Sequence, residues 1–121
     1  MKVIRPLLAT CLFFVSLNAC GSQLEDMNMF IARARTLIQA PNMDEEEQAL
    51  GELLTATRQT NVNYGYRVFN KTKDKRVMPD ELDSVIEDDL IVTIFVGEKA
   101  PYQEFVWRPK YNGHITRLVI P

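Results

Sequence analysis

Few residues in this chain have the types and spacing that chemistry demands. There is one histidine, His114, beside Asn112-Gly113, a pair that favours a tight turn. A lone turn histidine with no nearby base or orienting partner leaves a nucleophilic triad incomplete. A histidine-based zinc site lacks parts for the same reason. The five glycines form no phosphate-cradling loop. Carboxylates occur in two runs, Asp44 to Glu47 and Glu87 to Asp89. Neither has the regular spacing and glycine bend of a calcium loop. Paired carboxylates for glycoside cleavage depend on distance in space, and a chain this short leaves little room for a substrate cleft. The expectation is a protein that is not an enzyme, with no catalytic residue, metal or cofactor. Two other groups of residues suit binding. Lys71, Lys73, Lys75 and Arg76 concentrate positive charge in one turn. Tyr102, Trp107 and Arg108 lie next to Pro109, whose missing N–H places their strand at a sheet edge or bulge.

These candidates need elements to hold them. Leu24, Met27, Phe30, Ile31, Ala34, Leu37 and Ile38 recur at spacings of three and four, which predicts an amphipathic helix. Ala40-Pro41 ends it. Asn42 to Glu45 and Asp44 to Glu47 read as capping boxes, and a second helix follows over about 45–58. Leu50, Leu53, Leu54 and Thr57 form its buried stripe. Its acids sit in the first turn, where the helix dipole favours them. From Asn61 the period falls to two, and Val62 to Phe69 reads as a half-buried strand with Tyr64 and Tyr66 inward. Pro79 opens a short helix carrying Leu82, Val85 and Ile86. Leu90 to Val96 is apolar on both faces, which predicts a central strand covered on both sides. Tyr102 to Trp107 alternates as a further strand. Asn112-Gly113 then predicts a hairpin that pairs Trp107 with Leu118 and Phe105 with Ile120. The expected fold is α+β, with two N-terminal helices packed on a small, mainly antiparallel four-stranded sheet and one further short helix.

The N-terminus carries the one specific motif. Lys2 and Arg5 precede an uncharged apolar run from Leu7 to Leu17, too short for the roughly 20 residues that span a bilayer. Leu17-Asn18-Ala19-Cys20 follows. This stretch resembles the lipobox of bacterial lipoproteins, although Asn18 stands where that pattern prefers a small residue. The resemblance implies that Cys20 is lipidated and becomes the mature N-terminus, and that residues 1–19 are a signal peptide. Gly21 after the cysteine, rather than Asp, implies the outer membrane. An ordinary secretory leader cut near Ala19, with Cys20 left as a thiol, is the competing reading. Residues 20–23 would be a tether and 24–121 a single domain close to the membrane.

The chain has 121 residues and a formal net charge of −2. Losing Lys2 and Arg5 with the leader takes the remainder to about −4, which argues against nucleic acid as a partner. Cys11 would leave with the leader, so the domain would hold no disulfide and rely on its core. Two binding roles fit. One is an accessory lipoprotein in envelope or secretion-machine assembly, analogous in size and place to pilotins. Its docking edge would be Tyr102, Trp107 and Arg108. The cations of Lys71 to Arg76 would meet anionic headgroups or an acidic partner. The other is an immunity or inhibitor lipoprotein that presents its acidic runs to a toxin or lytic enzyme.

Overall fold

The computed structural model describes residues 24–97 and 101–120. The leader, the tether and Cys20 lie outside the described residues. Helix α1 covers residues 24–39, and its stripe of Phe30, Ile31, Ala34 and Leu37 is buried. Leu24 leaves the stripe and is 59% exposed. After the break at Pro41, Asn42 caps helix α2 (Met43–Gln59), its side-chain oxygen accepting the Glu45 N–H at 2.9 Å. The buried face of α2 is Glu46, Ala49, Leu50, Leu53 and Ala56. Arg33 on α1 and Glu52 on α2 bridge the two helices at 3.2 Å.

The sheet contains β1 (Tyr64–Asn70), β2 (Lys75–Val77), β3 (Leu90–Val96) and β4 (Gln103–Trp107) in the order β2-β1-β3-β4. Every pairing is antiparallel. A 3₁₀ turn (Pro79–Val85) links β2 to β3, and Glu81 accepts the Met78 N–H at its start. Helix α3 (Gly113–Val119) closes the chain. The architecture is the expected α+β arrangement of helices on a four-stranded antiparallel sheet.

The register places Val68 opposite both Val77 and Val92, Val92 opposite Trp107, and Ile94 opposite Phe105. These side chains form one face and pack with Phe30, Leu37, Leu50, Leu53, Ile115 and Leu118 in a single core. The alternate residues Ile91, Thr93 and Phe95 lie on the other face and are only half-buried. The expectation that β3 is covered on both sides is therefore corrected: all the described helices lie on one side. Pleated alternation explains the difference, since Thr93 interrupts the apolar pattern on the outer face alone.

Two further expectations change. The hairpin at Asn112-Gly113 does not form, and Trp107 does not pair with Leu118, nor Phe105 with Ile120. Residues 113–119 are helical, and His114, Ile115 and Leu118 are buried on one helical face. The fourth strand is instead β2, whose single inward residue, Val77, gives too little pattern to read. Phe30→Ala removes a fully buried ring from the core. It should lower unfolding free energy by about 3–5 kcal/mol in a urea titration, with the m-value unchanged.

Candidate binding surface

The acidic run at the start of α2 is more than a dipole partner. Glu46 shares a face with Leu50 and Leu53 and is completely buried. Its carboxylate accepts from Trp107 Nε1 at 3.1 Å and from the Lys110 backbone N–H at 3.0 Å. His114 Nδ1 lies 2.9 Å from Glu46 Oε1, and His114 Nε2 lies 2.6 Å from Glu47 Oε2. The ring thus lies between two carboxyl groups, with each of its nitrogens facing a carboxyl oxygen. Arg117 pairs with Glu47 from outside, and the Tyr111 ring meets the imidazole edge-on at 5.1 Å. The expectation of an exposed turn histidine is corrected: His114 is 5% exposed and both of its nitrogens are engaged.

Trp107 belongs to this cluster. It is 1% exposed and donates to Glu46, so it is withdrawn as a partner-binding residue. The other candidates are at the surface. Tyr102 is exposed and meets Phe95 edge-on at 6.2 Å. Arg108 is exposed and loosely paired with Asp89 at 3.7 Å. Pro109 falls beyond β4 rather than within it, and β4 is indeed an edge strand.

The basic turn is fixed in place by Asn70. Its amide donates to Asp88 Oδ2 at 2.8 Å, and its oxygen accepts the Lys73 N–H at 3.1 Å. Lys71 N–H reaches the Asp89 carbonyl, and Thr72 Oγ1 accepts the Asp89 N–H. Asp74 completes the turn at φ 53°, a conformation aspartate tolerates better than most residues. Lys73 pairs with Asp88 and Lys75 with Glu81. Lys71 and Arg76 make no ion pair among the described residues. The second acidic run is thus largely occupied by the molecule's own contacts. The Asn70 amide, then Lys73, holds the Asp88 carboxyl below the usual carboxylate range. The Met78 N–H, then Lys75, does the same for Glu81.

The remaining surface is the outer face of the sheet. Across its strands the register aligns Arg76, Phe69 and Ile91 in one row and Arg67, Thr93 and Val106 in the next. Gly65, Phe95 and Glu104 form a third row. Val106 is 59% exposed. The Arg67 guanidinium lies 4.7 Å from the centre of the Phe95 ring. This face combines apolar and aromatic side chains with flanking arginines, a composition enriched at protein interfaces. It was missed from sequence because its residues alternate with core residues on the same strands. A groove of about 400 Å³ between α1 and α2 is lined by Ala40, Pro41 and Ala49 together with the polar Thr36, Gln39, Glu45, Gln48 and Glu52. Among the described residues no group of three or more His, Cys, Asp or Glu side chains could hold a metal ion, and no helix is long and apolar enough to cross a membrane. Tyr66 is half-buried with its hydroxyl unpaired among the described residues, and burial, with Tyr64 beside it, pushes its phenol up.

His114→Ala leaves Glu46 buried beside an emptied site and should cost about 3–5 kcal/mol in urea unfolding. Arg117→Ala, at the exposed end of the same chain of charges, should cost no more than about 1 kcal/mol. Lowered carboxyl pKa values add stability at neutral pH that is lost as pH falls through those values. In a carboxyl NMR titration, the Asp88 midpoint should therefore lie below the ordinary value. Asn70→Ala should raise it more than Lys73→Ala does.

No family model, curated protein or solved structure matches this chain.

Proposed function

We propose that the chain is a lipid-anchored accessory protein of the bacterial envelope, held by Cys20 in the outer membrane, which binds a protein partner on the outer face of its sheet. The observation that carries this reading is that face, which no described helix covers. Phe69, Ile91, Phe95 and Val106 form an apolar strip across β1, β3 and β4. Arg67, Arg76 and Arg108 stand on or beside it. A partner segment with carboxylates next to apolar side chains complements both properties. The anchor is supported by the lipobox-like Leu17-Asn18-Ala19-Cys20. Of the acidic runs that an inhibitor role would present, Glu46 is buried and Glu47, Asp88 and Asp89 pair within the molecule, while Asp44, Glu45 and Glu87 stay exposed. The assembly role therefore rests on the apolar outer face of the sheet rather than on the acids.

Two measurements test this. Cys20→Ser should shift the protein from the membrane fraction to the soluble fraction. If the variant stays membrane-bound and is processed as before, the anchor is wrong. Full-length protein in detergent should capture an assembly or secretion-machine subunit from solubilised envelopes. Val106→Glu and Arg67→Glu should each weaken that capture by about ten-fold or more, equivalent to about 1.4 kcal/mol of binding free energy. Recovery of a soluble toxin or hydrolase in its place would overturn the assembly role.

A further inference from the structure

The domain has two chemically different ends, and the tether leaves from one of them. Asp26, near the start of α1, accepts the Asn61 N–H, and Phe30 stacks on Tyr64 at 5.1 Å. The start of α1 therefore lies at the end of the sheet where β1 begins and β3 finishes. Tyr102, leading into β4, lies at that same end and shares a cleft with Asn63, Tyr64, Gly65, Phe95 and Gly97. Among the described residues, the large apolar or aromatic side chains exposed there are Leu24, Tyr64 and Tyr102. Tyrosine carries an apolar ring and a polar tip, which suits the boundary between acyl chains and headgroups. Among the described residues the charged groups near this end include Glu25, Asp26 and Arg58, and they form no cluster of cations. The cations lie at the opposite end of β1, with Lys71 and Lys73 in the turn and Lys75 and Arg76 at the start of β2 rather than in that turn as expected from sequence. Seven residues of strand separate the two ends by about 20 Å, well beyond the roughly 8–10 Å over which salt leaves a surface potential effective.

We infer that the end carrying Leu24, Tyr64 and Tyr102 rests on a zwitterionic phospholipid surface, so that the sheet stands away from the bilayer with its outer face open and its basic turn distal. This rests on the lipid anchor proposed above. The chain between Cys20 and Leu24 is the reason the occupant is lipid: four residue steps reach at most about 14 Å. A cysteine embedded through its acyl chains therefore holds Leu24, and the tyrosines beside it, at the headgroups. The cations of the distal turn are then out of reach of lipid and are left for the acidic partner.

The test places a fluorophore on a single added cysteine in the full-length, acylated protein. Tyr102→Cys, Val106→Cys and Lys73→Cys each sit at an exposed position, and the acylated Cys20 does not label. The protein is reconstituted into phosphatidylcholine vesicles carrying nitroxide-labelled headgroups. The probe at residue 102 should lose fluorescence to the nitroxides, while those at 106 and 73 should match the detergent-solubilised control. Quenching at 106 and 73 would mean that the sheet face lies on the membrane, and would overturn the inference. Quenching at none of the three would mean that the domain hangs free, and would overturn it too. The mass of the mature chain is read separately. A chain without acyl groups overturns the anchor, and the orientation with it, whereas an acylated chain with the wrong quenching pattern overturns the orientation alone.

Discussion

The buried carboxylate of Glu46 is the constraint to which the rest of the molecule answers. A lone charge in that position would be prohibitive, so every neighbour is recruited to offset it. Trp107 supplies an indole N–H from β4, Lys110 a backbone N–H from the following loop, and His114 a ring nitrogen at hydrogen-bond distance from α3. One side chain on α2 thereby fixes the end of the sheet, the loop after it and the final helix. Replacement of the whole cluster by apolar residues could give equal stability, because buried ion pairs seldom outperform good packing. What the cluster adds is a requirement that α3 dock in one register.

The local and global forces diverge most clearly at the C-terminus. Asn112-Gly113 is a strong hairpin signal, and Trp107 and Phe105 alternate as hairpin residues should. The helix wins because His114, Ile115 and Leu118 reach the core together at helical spacing, and among these three His114 meets Glu46. No local pattern carries that information, since the two residues are 68 positions apart.

Elsewhere much was legible. The stripes of α1 and α2, the cap at Asn42, and strands β1, β3 and β4 all follow from apolar period and break residues. Glu46 itself left a trace: it stands four residues before Leu50 and seven before Leu53, on the buried stripe. The trace was hidden because acids in a first helical turn already have a sufficient local cause. Of the surface candidates, Tyr102, Arg108 and the basic turn remained outside. Trp107 did not, because a tryptophan on an alternating strand looks the same whether it faces core or solvent. The outer-face strip of Phe69, Phe95 and Val106 could be assigned only once the register was known.

The two rims of the sheet have a consequence for crowding. Every open sheet offers unpaired backbone groups at its margins, and copies held together on a plane meet far more often than copies in solution. Here one rim is β2, three residues long with Lys75 and Arg76 exposed on it. The other is β4, five residues long, with Glu104 exposed along it and Arg108 and Pro109 directly after it. Brevity, charge and a missing donor are the features by which natural sheets resist end-to-end stacking into fibres. The domain can therefore be packed densely without its strands recruiting those of its neighbours, and its broad face, rather than its rims, is left to make contacts.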